Sequence, residues 1–339
     1  MPRLKKFARG ARDTIPLMVG AAREWLCNGC RIGLTRIATR RILAITTDQA
    51  CLEAGGMREG LVTDSAESTN LRDRIITASV LVPVAVLASL AGGWLFLCLT
   101  LPIMCIGMLE FFVMEKDTPM QGSSLTGIPT ALAIVLGFFL GIDWLWQAAL
   151  GAGIALTLAL EIARKPRQPG RALAQVGTTL CGILYLAFPT AFLVSLRNRP
   201  EDGLMWLFVV YAITWGTDTF AYVFGKVFGR TKLAPLISPN KTVEGAVGGI
   251  FCAWVPAFLI LLVAGRLEPR LAPMIVVGPF LAVGGDLFES GLKRIFRVKD
   301  SYVAGFNVFP GHGGVLDRID ALVWVASWVF LYLLSNGVA

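Results

Sequence analysis

Nine apolar stretches, each long enough to span most of a bilayer as a helix, dominate the sequence from residue 75 onward. They are residues 75–91, 93–113, 126–142, 144–161, 174–196, 204–223, 243–264, 271–287 and 319–335. Only 16% of the residues are charged, against about 25% in soluble domains. Because helices satisfy their own backbone hydrogen bonds inside lipid, the sequence predicts an all-α integral membrane protein. We expect about nine transmembrane helices, and one or two of the shorter ones could be re-entrant.

The loop charges predict how these helices are oriented. If the segment before the first stretch is cytoplasmic, alternation places 16 Lys and Arg residues inside and four outside. The four outside are Arg197, Arg199, Arg266 and Arg270. This bias follows the positive-inside rule. We therefore expect a multi-pass protein of the cell (inner) membrane, with its amino end and its active site facing the cytoplasm.

The amino-terminal 70 residues differ from the rest of the chain. They contain eleven Lys and Arg residues, mostly before residue 42, and few acids. They are interpretable as a basic amphipathic arm on anionic lipid, a targeting segment, or a poorly ordered extension, which we favour. Much of the net charge of +8 lies here, so no nucleic-acid partner is expected. We divide the chain into this extension (1–70), a transmembrane scaffold (71–200) and a transmembrane catalytic part (201–339).

The supply of metal ligands favours a hard cation. The chain has one histidine, His312, and seven scattered cysteines, of which only Cys27 and Cys30 form a CxxC pair. A site for a soft metal is difficult to build from this set. Oxygen ligands from Asp and Glu suit Mg²⁺ or a similar ion.

Two motifs in the carboxyl-terminal half place polar groups against apolar stretches. In TWGTDTFAY, Thr214, Asp218 and Tyr222 share one helical face, which indicates either a functional site or a structural hydrogen bond between helices. In SPNKTVEGAVGG, we expect Ser238 to be the N-cap of a helix with Pro239 in its first turn. That helix would bring together Ser238, Lys241, Thr242 and Gly245. The hydroxyl, ammonium and free N–H groups could bind an anion, or the motif could be an ordinary capped helix.

A third motif, GGDLFESGLKRIFRVKD, follows directly after an apolar stretch. Its spacing predicts one continuous stripe along a helix, formed by Asp286, Glu289, Ser290, Lys293 and Arg297. Asp286 would lie deepest and the basic residues nearest to water. This order suits a buried metal ligand with phosphate-binding cations at the rim.

The last motif, FPGHGGVLDRIDAL, surrounds His312 with glycines and ends in a helix start. Glycines allow a close approach between backbone and ligand, and Asp317 and Asp320 are spaced to face one point. Acids at a helix start can also simply complement its dipole. However, the predicted topology brings three carboxylates, with Lys and Arg beside them, to one membrane face. Carboxylates that hold Mg²⁺ and cations that hold phosphates are typical of phosphoryl or nucleotidyl transfer.

These motifs resemble a known family. The run S-x-x-K-R-x4-K-D … P-G-H-G-G-x-x-D-R-x-D, here SGLKRIFRVKD and PGHGGVLDRID, resembles the signature of the phosphatidate cytidylyltransferases, also called CDP-diacylglycerol synthases. DTFAY, SPNKTVEG and GDLFES agree with it in the same order, over roughly residues 71–335. The resemblance implies a Mg²⁺-dependent membrane enzyme that transfers CMP from CTP to phosphatidic acid and releases pyrophosphate. A homodimer is a further expectation.

The resemblance also implies roles for individual residues. The expected metal ligands and catalytic carboxylates are Asp286, Asp317 and Asp320. The expected phosphate contacts are Ser238, Lys241, Lys293, Arg294 and Arg318. His312, Gly313 and Gly314 would lie against the nucleotide or the reacting phosphate, and His312 and Lys293 join the catalytic set. Thr242 and Asp218 are further candidates for substrate binding.

One departure from the family and two alternative functions stay open at this point. The link SYVAGFNVF, residues 301–309, is longer than the family's usual link. A CTP-dependent kinase of a membrane polyprenol would use a similar site but move the γ-phosphate. A cation-coupled transporter would place acids along a pathway and repeat its spans in inverted order, and the sequence has no evident repeat of that kind.

Overall fold

The protein is described by a computed structural model that covers residues 79, 82–115, 121–164, 169–298 and 314–337. All of these residues belong to one compact unit, Asn70–Ala339. The first half contains α1 (Val82–Ala91), α2 (Gly93–Met114), α3 (Ser124–Leu140), α4 (Asp143–Arg164), α5 (Pro169–Gly182), a π-helical turn (Ile183–Ala187) and α6 (Phe188–Arg197). The second half contains α7 (Gly203–Phe228), β1 (Lys232–Ala234), β2 (Ser238–Thr242), α8 (Val243–Val263), a 3₁₀ turn (Pro269–Leu271), α9 (Ala272–Ile295) and α10 (Leu316–Ser335).

Each of the nine predicted stretches overlaps one helical run, and the run in the first stretch is described from Val82 to Ala91. Seven of these runs are long and apolar enough to cross a membrane, whereas α1 and α3 are shorter in the described residues. The chain is therefore an all-α membrane protein, as the apolar stretches predicted.

The core of the bundle lies between α2, α6, α7 and α10. Side chains that are fully shielded there include Met104, Met108, Val194, Leu207, Ile213 and Val329. Large apolar side chains remain exposed on the outer faces of α4 and α8, for example Trp144 and Val255. Exposed apolar side chains of this kind are typical of helices whose outer surface contacts lipid.

The hairpin between α7 and α8 corrects one prediction. Ser238 was expected to cap a helix with Pro239 in its first turn, but both residues belong to β2, with Ser238 opposite Ala234 of β1. The cap is instead Thr242, whose hydroxyl accepts a hydrogen bond from the Gly245 N–H at 3.2 Å. Thr242 supplies the same type of cap four residues later, and a short edge strand tolerates a proline that has no N–H to donate.

The end of α9 corrects a second prediction. The stripe was expected to continue to Arg297, but the helix ends at Ile295 and Arg297 has a left-handed backbone with φ of 57°. The Val298 N–H then turns back to the Lys293 carbonyl at 3.0 Å, a closure typical of helix ends. Lys293 is therefore the last residue of the stripe that lies within the helix.

Helices α7 and α8 make the most extensive interhelical contact in the described structure. Small residues on α8 allow the two backbones to approach, as membrane helices commonly require. A Cβ atom at Gly249 would lie 2.7 Å from the Thr217 carbonyl oxygen and 2.8 Å from the Ala221 Cβ atom. These distances are too short for any side chain, so the glycine is needed for packing.

Replacing Gly249 with valine should force the two helices apart and destabilise the protein by about 1–3 kcal/mol, the usual cost of overpacking. Thermal unfolding in detergent would measure the effect. Gly151→Ala is the matched control because a Cβ atom there meets nothing within 4 Å. An unchanged melting temperature for Gly249→Val would contradict the close packing of α7 against α8.

Candidate active site

The candidate site lies at the end of the bundle where α9 ends and α10 begins. Two ion pairs and one hydrogen bond join the elements there. Lys241 of β2 pairs with Asp286 of α9, and Lys293 of α9 pairs with Asp317 of α10. The Arg294 Nε–H also donates to the Ile237 carbonyl of the hairpin at 3.1 Å. Three motifs that are distant in sequence are thus brought to one place.

The first group of charges is the Lys241 cluster, which we define as Lys241, Asp218, Asp286 and Asp320. Lys241 and Asp286 form an ion pair in which both side chains are partly exposed. Asp218 and Asp320 lie within electrostatic range of the same pair. Asp320 is largely buried and accepts a hydrogen bond from the Ala321 N–H at 2.7 Å. Three carboxylates against one ammonium leave a surplus of negative charge in a poorly solvated position.

The second group is the Lys293 cluster, which we define as Lys293, Glu289 and Asp317. The Lys293 Nζ lies 2.7 Å from the Glu289 carboxylate and 3.0 Å from that of Asp317. Glu289 is 2% exposed at its side chain, so its charge depends on this lysine. The other oxygen of Asp317 accepts from the Gly314 N–H at 3.2 Å. Asp317 therefore both pairs with Lys293 and holds the backbone just before α10.

A carboxylate from the amino-terminal half of the chain accepts hydrogen bonds at the start of α10. Glu110 of α2 is almost fully buried. Its two oxygens accept hydrogen bonds from the N–H groups of Val315 at 2.9 Å and of Leu316 at 2.7 Å. Sequence reasoning missed this residue because it treated the first five stretches as scaffold. An ionisable residue inside LPIMCIGMLEFFVM was the signal that could have identified it.

Tyr185 is a second residue that sequence reasoning missed. It lies on the π-helical turn, a distortion often found at functional sites. Its hydroxyl is buried and has no hydrogen-bond partner among the described residues. Four carboxylates lie within electrostatic range of it: Asp286, Glu289, Asp317 and Asp320. The ring packs edge-on against Phe288 at 5.4 Å between centroids.

A cavity of about 830 Å³ reaches the site from within the bundle. Its deeper walls are apolar and include Phe96, Leu99, Leu193 and Ala326. Its charged residues are Asp218, Asp317, Arg318 and Asp320. Ala326 lies nine residues after Asp317 on the same helix, or about 13 Å at 1.5 Å per residue. The cavity therefore has an apolar body and a charged end.

The predicted metal ligands are divided between the two clusters. Asp286 and Asp320 belong to the Lys241 cluster, and Asp317 belongs to the Lys293 cluster. Within the described part of the chain, no three His, Cys, Asp or Glu side chains form a group that could hold a metal ion. Mg²⁺ commonly uses only one or two carboxylates and completes its shell with water and substrate phosphates. The negative surplus and oxygen-only donors of the Lys241 cluster fit such an ion.

The other predicted residues have varied positions. Thr242 caps α8, Arg294 supports the hairpin, and Arg318 is exposed at the charged end of the cavity. The Gly314 N–H is engaged by Asp317. His312 and Gly313 lie outside the described residues, as do the 301–309 link and the 1–70 extension.

The fold and the site together define a membrane protein in which a largely apolar cavity ends at charged residues at one end of a helical bundle. Residues 72–335 match the model of the cytidylyltransferase family. Since this match covers most of the sequence, the chain belongs to the cytidylyltransferase family.

Individual relatives agree with this assignment. A phosphatidate cytidylyltransferase from Staphylococcus haemolyticus is 30% identical over 269 residues, which cover 78% of this chain and 100% of the relative. One from Staphylococcus saprophyticus is 31% identical over 270 residues with the same coverage. One from Bacillus subtilis is 40% identical over 162 residues, which cover 47% of this chain and 58% of the relative.

The Tyr185 hydroxyl, which has no hydrogen-bond partner among the described residues, leads to a prediction about the stability of the protein. Tyr185→Phe should leave the melting temperature unchanged or raise it, because it removes a buried polar group that has no partner among the described residues. Tyr211→Phe is the matched comparison, since that hydroxyl lies 3.1 Å from the Ser89 hydroxyl. Its loss should cost about 1 kcal/mol. Thermal unfolding of both variants in detergent would test this, and a larger loss for Tyr185→Phe would contradict the described environment.

Proposed function

We propose that this chain is a phosphatidate cytidylyltransferase, which transfers CMP from CTP to the phosphate of phosphatidic acid. The products are CDP-diacylglycerol, a precursor in phospholipid synthesis, and pyrophosphate. The observation that carries the proposal is the cavity whose largely apolar body ends at Asp218, Asp317, Arg318 and Asp320, three of which belong to the charged clusters. Phosphatidic acid has the same division, with two apolar acyl chains and one phosphate. The family membership and the names of the relatives give the proposal its reaction type.

The reaction needs two anions to meet. A phosphate oxygen of phosphatidic acid attacks the α-phosphorus of CTP, and the bond from that phosphorus to the bridging oxygen breaks. The electron pair leaves with pyrophosphate, so atoms and charges balance. A phosphate monoester is already anionic near neutral pH, so deprotonation by His312 is not required. The main demand is to offset the repulsion between the reacting groups.

Lys241 and Lys293 meet part of this demand. Each ammonium is held beside carboxylates, which fix its position at the site. Incoming phosphates can then share these cations, with Arg318 at the charged end of the cavity. Bound Mg²⁺ would supply further positive charge to the triphosphate and the pyrophosphate. Its proposed ligands are Asp286 and Asp320 in the Lys241 cluster and Asp317 in the Lys293 cluster.

The membrane arrangement is also part of the proposal. We propose that α1 and α3 complete nine membrane segments, each crossing the bilayer or re-entering from one side. The site would face the cytoplasm at the inner membrane of the cell. Two features support this orientation. The described basic residues concentrate at the end that carries the site, and Arg266 lies near Asp202 at the other end, at 3.0 Å. The homodimer stays a prediction.

The activity can be tested directly with the purified protein in lipid nanodiscs. With CTP labelled at the α-phosphate, phosphatidic acid and Mg²⁺, we expect label in the lipid and one pyrophosphate per lipid labelled. Diacylglycerol in place of phosphatidic acid should abolish labelling. Transfer of a γ-label to a polyprenol would favour the kinase instead. Absence of any lipid product, together with cation-dependent solute flux, would exclude both enzymes in favour of a transporter.

Substituting one carboxylate from each cluster provides a second test of the proposed function. Asp286→Asn and Asp317→Asn should each lower kcat about 100-fold or more, the scale seen when a preorganised electrostatic contact is removed. Asp202→Asn at the opposite end of the bundle is the control and should retain activity. Full-length, correctly inserted protein must be confirmed for each variant. Near-normal turnover by either active-site variant would show that its metal assignment is wrong.

A further inference from the structure

Carboxylates of the protein already occupy the backbone N–H groups at the start of α10. The Gly314 N–H donates to Asp317, and the next two N–H groups donate to Glu110. A helix start with free N–H groups is a natural site for a phosphate. Here three successive donors are engaged, so the backbone of residues 314–316 is not available to a substrate anion.

Glu110 is an unusual residue to find in this role. It lies in α2, within the part of the chain predicted to be scaffold, and is 2% exposed. A carboxylate at such depth is costly unless it is well compensated. Two short hydrogen bonds to a helix start are strong because the acceptor is charged. The cost of breaking them favours a single position of the α10 start relative to α2.

The contact between α2 and α10 has a second point one turn away. Gly107 of α2 faces Ile319 of α10, and a Cβ atom at Gly107 would lie 3.5 Å from the Ile319 Cδ1 atom. The Glu110 hydrogen bonds restrict both sliding and rotation of α10, and this van der Waals spacing shows that the two helices are packed there. Asp317 and Asp320 belong to the same first turns of that helix. Rotation by one residue position would turn both carboxylates by about 100° away from their partners.

We propose that Glu110 is a positioning residue of the active site. Its carboxylate fixes the first turn of α10, so that Asp317 meets Lys293 and Asp320 faces the Lys241 cluster. It also excludes substrate phosphates from the α10 backbone, which leaves the lysine side chains to receive them. This inference rests on the proposed cytidylyl transfer, but it concerns an arrangement that direct binding experiments can examine separately.

Glu110→Gln is the sharpest variant because it keeps the shape and replaces one acceptor oxygen with an NH₂ group. One N–H at the α10 start then loses its partner. We expect kcat to fall about 10-fold or more, as for outer contacts that orient metal ligands. The Mg²⁺ concentration for half-maximal activity should rise several-fold, with a smaller change in the KM for phosphatidic acid. Mn²⁺ binding, followed by electron paramagnetic resonance without substrate, should weaken in parallel.

Glu110→Ala adds a rescue experiment, because it leaves room for a small carboxylate. Added formate should restore part of the activity, because it can accept hydrogen bonds from the Val315 and Leu316 N–H groups. Chloride at equal ionic strength should not restore activity. Glu201→Gln is the control, since that side chain is 85% exposed at the other end of the bundle. It should behave like the wild type in every measurement. If Glu110→Ala does not insert, the Glu110→Gln measurements decide alone.

The outcomes of these experiments distinguish a positioning role of Glu110 from a purely structural one. Wild-type kcat and Mg²⁺ dependence in Glu110→Gln would overturn the proposal. So would a variant that loses activity and melting temperature but keeps Mn²⁺ affinity, because Glu110 would then be merely structural. If the wild type performs no cytidylyl transfer, the proposed function fails. Weaker Mn²⁺ binding in Glu110→Gln would still support the positioning role, whereas unchanged Mn²⁺ binding would overturn it.

Discussion

Lys293 is the cation on which the charged end of this bundle depends. Its ammonium touches both Glu289 and Asp317, and it therefore joins α9 to α10. Without it, a carboxylate that is 2% exposed at its side chain would be left without a cation beside lipid-facing helices. Removing one partner of a buried pair generally costs several kcal/mol, because the other charge remains unsolvated. The contact is thus both structural and a means of presenting a cation to the site.

The balance of charge explains why the site is suited to anions that arrive with a metal. The Lys241 and Lys293 clusters together contain five carboxylates and two lysines. Such a surplus would repel a bare triphosphate and attract a divalent cation. A nucleotide that carried its own Mg²⁺ would resolve this conflict, since the surplus carboxylates would hold the metal and the lysines would hold the phosphates.

Sequence reasoning predicted the helices well and their junctions less well. The nine apolar stretches correspond to helical runs because hydrophobicity over many residues is a strong signal. Ser238 was misassigned because a hydroxyl followed by proline suits both a helix start and a strand edge. Arg297 was placed on a helix that ends two residues earlier, since nothing in its side chain specifies a left-handed backbone. Glu110 was missed because its partners are backbone N–H groups 205 and 206 residues away, a contact that no local pattern contains.

The positions of the lysines have a consequence for how phosphates can be recognised. A helix start or an arginine fork holds an anion in one fixed geometry, whereas a lysine is a mobile point charge on a flexible stem. With the N–H groups of residues 314–316 engaged by carboxylates, recognition at this part of the site depends on the side-chain cations Lys241, Lys293 and Arg318. Both lysine ammonium groups lie against carboxylates, which limits this mobility. The Glu110 carboxylate at the start of α10 therefore leaves anion recognition to side chains rather than to a backbone cradle.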